Sequence, residues 1–316
     1  METQQQDQIQ YAFDKATNTK YLGKLPNGRS VYVGYTDKTW NVGEASSGGY
    51  VLSVMMDSIL RHYANRYQKH PIAMNAFFLR KTTFGPVVLE IEDIKVSRKG
   101  YCLSRTMLKQ PKDLKTVIDS LEAYVPEDYV ENVYSVTTMG NMEQEEGPTH
   151  LHKPWLAPAE RELEDFDFLF MNEHVKAKIN KHNLPVPLDA DRGEEMPGKP
   201  EHDHVISFRD GRSVDFKSIP YWSDMLISPV SNLGRTVLDG DRWFATMQLE
   251  LQFKAIPTGN KILCSFMSSH LVNGRFDLDG ALFDPQGNLL ALTRHQVLAL
   301  PWTRNTPSGE VPKPKL

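Results

Sequence analysis

The stretch SSGGYVLSVMMDSILRHYANRYQ, residues 46–68, decides how the rest of the chain is read. Serines and glycines stand immediately before an apolar 3.6-residue period, with Val51, Val54, Met55, Ile59, His62 and Tyr63 on one stripe. That pattern predicts a helix, and Ser46 or Ser47 can cap the free amides of its first turn. Gly48 and Gly49 carry no Cβ, so another backbone or a ligand can approach that turn closely. Amide donors and a partial positive charge at such a helix start suit a carbonyl that becomes an oxyanion. An ordinary capped core helix fits the same residues.

The segments after the helix break that tie. Pro71 ends the pattern, and three β-type runs follow: Ala73 to Lys81, Pro86 to Ser97 and Tyr101 to Gln110. The second alternates through Val88, Leu89, Ile91, Ile94 and Val96, and Arg98-Lys99-Gly100 reads as its hairpin turn. One long helix followed by an antiparallel meander able to wrap it is the outline of an α+β hotdog fold.

The pattern then restarts. Val205 to Phe208 and Ser213 to Phe216 are expected to pair as a hairpin, followed by a short helical stretch with Tyr221, Trp222, Met225 and Leu226. Strands are expected over Arg242 to Phe253, Lys261 to Val272, Arg275 to Asp284 and Leu289 to Leu300. Asn273-Gly274 between alternating runs is a strong hairpin signal. In each half an aromatic strand end leads through a glycine turn into a long hairpin, so one fold is used twice, with the weaker helix in the second copy. The expected division is an N-terminal domain over 1–140, a connection over 141–203 and a C-terminal domain over 204–316. The connection is acidic and proline-rich, with a helix expected at about 172–182, and it is long enough to cover a pocket.

Composition excludes several classes. Apolar content of 40% supports a real core, and a net charge of −4 gives no basic footprint for nucleic acid. No run approaches the about 18 apolar residues of a membrane span. The opening METQQQDQIQ shows no secretory or transit pattern, so a cytoplasmic location is expected. Cys102 and Cys264 each fall inside a predicted strand and read as buried thiols rather than a staple. His150/His152 and His202/His204 could each face one way on extended chain. Both pairs fall in the loop-like connection without a completing ligand set, so no metal is expected.

Trp40 with Ser47-Gly48-Gly49-Tyr50, Asn75 to Arg80, Gly85-Pro86-Val87, Asn273 to Leu278 and Asp284 to Gln296 form an ordered set. In that order and spacing the chain resembles the thioesterase-like superfamily of double-hotdog proteins related to bacterial acyl-CoA thioesterase II. The resemblance implies a tandem hotdog, each half an antiparallel sheet wrapped around a central helix. It further implies an acyl-thioester site at the junction of the halves, and no metal or cofactor. The substrate so implied is an acyl-CoA, an acyl-carrier thioester or a polyketide-like small molecule, and a homodimer stays open.

The bacterial relatives orient water with an Asp, a Thr or Ser, and a Gln. Counted back from Phe253, the Asp position falls on Gln248, the hydroxyl on Ser269 and the Gln on His295, with Gln296 one residue away. Asn75 occupies the place of a His in the first half. Gln248 cannot act as a base, so Glu250, on the same strand face, is the candidate carboxylate. Asn75, Ser269 and His295 would then place water, and the Gly49 and Tyr50 amides would hold the oxyanion. Trp40, Gly48, Tyr221 and Trp222 are expected to line the substrate chamber. With the family Asp replaced, hydrolysis stands beside two alternatives: dehydration, isomerisation or cyclisation of a polyketide-like substrate, or acyl binding without chemistry.

Overall fold

The computed structural model describes residues 11–189 and 194–306. Fourteen strands join there into one antiparallel sheet. The N-terminal half supplies β1 (Lys20–Lys24), β2 (Ser30–Thr36), β3 (His70–Phe78), β4 (Gly85–Lys95), β5 (Cys102–Pro111) and β6 (Tyr129–Gly140). The C-terminal half supplies β7 (Glu164–Phe166), β8 (Val175–Ile179), β9 (Glu201–Phe208), β10 (Arg242–Phe253), β11 (Ile262–Met267), β12 (Leu271–Val272), β13 (Arg275–Phe283) and β14 (Leu289–Pro301). Outward from the centre, one half runs β3-β6-β5-β4-β2-β1 and the other β10-β14-β13-β11-β9-β8-β7, with β12 paired to β13. The same layout appears twice and the copies join edge to edge through β3 and β10, where Asn75 lies opposite Glu250 and Phe77 opposite Gln248. This is a tandem hotdog.

Three helices matter for the site: α1 (Ala12–Thr17), α2 (Gly48–Tyr63) and α3 (Ile219–Asp224). The N-terminal sheet curls around α2. Tyr50, Val51, Leu52, Val54, Met55, Met56, Ile59 and Tyr63 are all buried, so the helix is enclosed rather than seated on one stripe. Each large apolar side chain taken fully from water contributes about 1.5–3 kcal/mol, which explains why this helix stays continuous. Its counterpart after β9 does not. The chain leaves helical geometry at Met225 (φ −86°, ψ 79°), and Pro229 then opens a separate 3₁₀ turn over Pro229–Leu233. Proline lacks the amide a helix needs and disfavours α geometry in the residue before it.

Several local expectations are corrected. Residues 172–182 form no α-helix: Val175–Ile179 is strand β8, its alternately buried Val175, Ala177 and Ile179 showing a period of two, and Lys181–Asn183 is a single 3₁₀ turn. Leu114 to Tyr124, a stretch that could form a short surface helix, is instead turns and irregular chain; Ser213 to Phe216 is irregular; and Tyr11 to Leu25, expected as an opening strand, contains α1 before β1. His202 and His204 are not in a loop: both are buried on β9, paired with Phe266 and Cys264 of β11. Asn273 and Gly274 take φ of 52° and 74°, the left-handed pair that a tight hairpin requires. Cys102 and Cys264 are free and buried.

Candidate active site

The first turn of α2 and the last residue of α3 meet at the junction of the halves. Ser47 stands at the N-cap position of α2, yet its side chain makes no capping bond to its own helix. The cap comes from 177 residues away. The Gly49 amide donates to Asp224 Oδ2 at 2.7 Å, and the Ser47 hydroxyl donates to the same oxygen at 3.3 Å. Ser46 turns aside to donate to Asn41 Oδ1. Gly49 is required for this contact: a Cβ there would stand 2.4 Å from the Pro220 carbonyl oxygen and 2.7 Å from Asp224 Cβ. The glycines therefore admit α3, and the helix start holds a carboxylate.

Asp224 leaves its other oxygen, Oδ1, 3.9 Å from His295 Nδ1. Burial pushes the Asp224 carboxyl up to about 6, against hydrogen bonds from Gly49, Ser47 and Gly48 that favour the charged form. Its side chain keeps 16% exposure and lines a cavity between the halves. Burial moves His295 the other way, down to about 4, against a hydrogen bond with the Ser223 backbone. Near neutral pH the pair is thus a carboxylate beside a neutral imidazole. His295 Nε2 has no hydrogen-bond partner among the described residues.

Both groups border a cavity of about 720 Å³ whose walls come from both halves. Ser47, Gly48, Val51 and Phe78 belong to the N-terminal half; Asp224, Thr246, Leu278 and His295 belong to the C-terminal half. Phe166, Phe168 and Phe170, in the segment expected to cover a pocket, form part of the wall. Arg80 and Arg304 lie at its exposed rim.

Thr246 reaches the cavity through an irregularity. Strict alternation along β10 would put it on the outer face with Gln248 and Glu250. The register slips between Thr246 and Gln248, so that Thr246 lies beside buried Val297 while Gln248 lies beside exposed Gln296. A bulge re-aims a side chain in this way. A carboxylate, a hydroxyl and a neutral imidazole thus face one chamber, a set able to hold and deprotonate a water molecule.

Most of the residues proposed from sequence lie elsewhere. His295 is in the site. Asn75, Gln248 and Glu250 sit half-buried on the opposite sheet face from Met74, Ala76, Leu249 and Leu251, away from the cavity. Ser269 is exposed, and Ser268 is the residue that turns inward. Gly48 lines the chamber, whereas the Gly49 amide is committed to Asp224 rather than to an oxyanion. Tyr50 is core: its hydroxyl donates to the Ala16 carbonyl and accepts from the Asp37 amide. Trp40 stacks on His174 at 4.0 Å, and Tyr221 and Trp222 pack on Phe208, all within the core. Asp224 was the residue missed. The signal was present: a lone acid two residues after the apolar Ile219-Pro220-Tyr221-Trp222 run.

Comparisons with known proteins agree with this architecture. Residues 36–120 match the acyl-CoA thioesterase N-terminal domain and residues 150–299 the acyl-CoA thioesterase C-terminal domain. A candidate thioesterase II from Thermobifida fusca YX is similar at 20% identity and a TM-score of 0.68, covering 92% of this chain and 98% of that one. An acyl-CoA thioesterase II from Mycobacterium marinum is similar at 17% identity and 0.62, covering 91% and 98%. The dehydratase domain of PpsC from Mycobacterium tuberculosis, in complex with C12:1-CoA, shares the fold at 10% identity and 0.50, covering 90% and 99%. No curated protein sequence matches the chain. No helix among the described residues is long and apolar enough to cross a membrane. By both domain matches and by its doubled sheet, the chain belongs to the thioesterase-like superfamily of double-hotdog proteins related to acyl-CoA thioesterase II.

Proposed function

We propose that the chain hydrolyses an acyl thioester at the junction of its two halves, with Asp224 as the base. The observation that carries this reading is the carboxylate held on the α2 amides beside a neutral imidazole, in the wall of a largely apolar cavity. Water held among Asp224, Thr246 and His295 gives a proton to Asp224 Oδ1 as its oxygen attacks the thioester carbon. The C–S bond then breaks, and the proton passes from Asp224 to the departing thiolate. Carboxylic acid and thiol are the products. Thr246 is the neutral donor on the wall for the developing oxyanion. Arg80 and Arg304 at the rim suit the phosphate of a coenzyme A or carrier-bound arm.

One observation favours a second reading. A carboxylate 3.9 Å from an imidazole is also an acid–base pair able to remove and return protons on one substrate, as dehydration requires. Thiol release from a panel of acyl-CoAs, followed alongside conversion of a 3-hydroxyacyl thioester, separates the two. Free thiol in stoichiometric yield supports hydrolysis. An unsaturated thioester without thiol release supports dehydration, and neither product overturns both.

A further inference from the structure

His202 and His204 project from alternate positions of β9 into the interior of the C-terminal half. Both are fully buried and their ring centroids lie 4.8 Å apart. All four of their ring nitrogens lack a hydrogen-bond partner among the described residues. Burying that many unpaired polar atoms is costly, and sheet interiors ordinarily fill such places with aliphatic side chains. The same inner face carries two more unpartnered buried hydroxyls, Ser268 and Thr293.

These groups lie along a line that begins at the reacting pair. His295 on β14 pairs with Leu278 on β13, one step of register beyond the Asp279–Met267 pair that joins β13 to β11. Ser268 therefore falls beside Leu278, and its amide donates to the Pro200 carbonyl just ahead of β9. Phe266 of β11 then pairs with His202. Three strand spacings of about 4.8 Å and two residues of about 3.4 Å along the strand separate His295 from His202, roughly 16 Å across the sheet. Phe168 stands between the chamber and the pair: it lines the cavity and meets His204 edge-on at 6.4 Å.

His202, His204 and Ser268 do not line the chamber, and their unpaired atoms are closed off in this structure. We infer that His202 and His204, with Ser268, form a polar subsite that opens when Phe168 turns aside and then receives the far end of the acyl chain. The substrate class is then a medium-length acyl thioester bearing a hydroxyl or keto oxygen at that end, rather than a plain fatty acyl chain. Neutral imidazoles suit this role because each offers one donor and one acceptor to an uncharged oxygen. This inference rests on the junction cavity being the acyl site, and it does not depend on which reaction occurs there.

The test measures binding, so that hydrolysis and recognition fail separately. Two non-hydrolysable CoA thioethers of equal length, one ending in a hydroxyl and one in a methyl, are titrated calorimetrically into the full chain. The hydroxyl-ended analogue is expected to bind about tenfold more tightly. His202→Leu with His204→Leu is expected to reverse that order and to raise the melting temperature, because apolar groups replace unpaired polar ones. If the double variant does not fold, Ser268→Ala serves instead and is expected to narrow the preference. Equal or tighter binding of the methyl-ended analogue, binding of neither, or a preference that survives these substitutions overturns the inference. A clear preference in a protein that hydrolyses no thioester would instead overturn the hydrolytic reading and leave this one standing.

Discussion

The two halves share one strand layout and differ in the helix each sheet encloses. In the N-terminal half α2 runs for 16 residues and is buried all round. In the C-terminal half the equivalent segment gives only six residues of helix before Met225 turns out of it. The continuous helix stabilises its half and presents a row of amides at its start. The broken one ends in a carboxylate at that start and leaves space beyond it. Neither half holds a site alone: one contributes fixed donors, and the other the base, the imidazole and most of the cavity wall.

If this division is right, damage to the two helices has different consequences. The largest effect is expected from Asp224→Asn, which should lower thioester turnover about 10²–10⁴-fold. The same change should raise stability at neutral pH. Because burial lifts this carboxyl from 3.8 to about 6, its preference for the neutral form stabilises the fold below about pH 4 and is lost as pH rises through 6. Removing the charge recovers up to about 3 kcal/mol, read as a higher denaturation midpoint. Turnover lost together with stability would break the comparison.

Met55→Ala is the converse, a change to a fully buried position of α2 one turn beyond chamber-lining Val51 and not itself on the chamber wall. It should cost about 2–5 kcal/mol in denaturant unfolding while the surviving folded protein keeps its kcat. Gly49→Ala tests the contact between the helices. The added methyl forces α3 off the first turn, so a loss of about 1–3 kcal/mol should accompany loss of turnover; unchanged kinetics would show that the close approach is dispensable. The smallest effect is expected from Thr246→Val, roughly a tenfold loss in kcat for one neutral hydrogen bond, with unchanged stability.

Much of the architecture was legible because it rests on local periodicity. Alternation along the strands, the Asn273-Gly274 turn and the repeated order of elements are sufficient for a doubled sheet around α2, and the thin second helix was visible as well. The site was less legible because each of its parts depends on a partner remote in sequence. Asp224 closes a short helix, and nothing nearby reveals that it caps the first turn of α2 by accepting from the Gly49 amide. Alternation back from buried Phe253 puts Gln248 and Glu250 on the outer face of β10, and the slip between Thr246 and Gln248 then brings inward a threonine that strict alternation would keep out. A single-residue error likewise separates exposed Ser269 from buried Ser268, since one step along a strand reverses the face. His202 and His204 follow an acidic, proline-rich stretch, and only pairing with β11 makes them interior. His295, which the resemblance places at the Gln position, lies on the inner face of β14 opposite Leu278 and borders the chamber, whereas the adjacent Gln296 is exposed.

The most direct test is the pH dependence of kcat/KM for thioester hydrolysis, which reports the ionisation of the free protein's essential base. A base that burial has lifted to about 6 predicts a rate that falls tenfold per pH unit below that value and is level above it. A rate that stays level through pH 6, or one that Asp224→Asn leaves undiminished, would contradict the assignment of the reaction to the meeting point of the two helices.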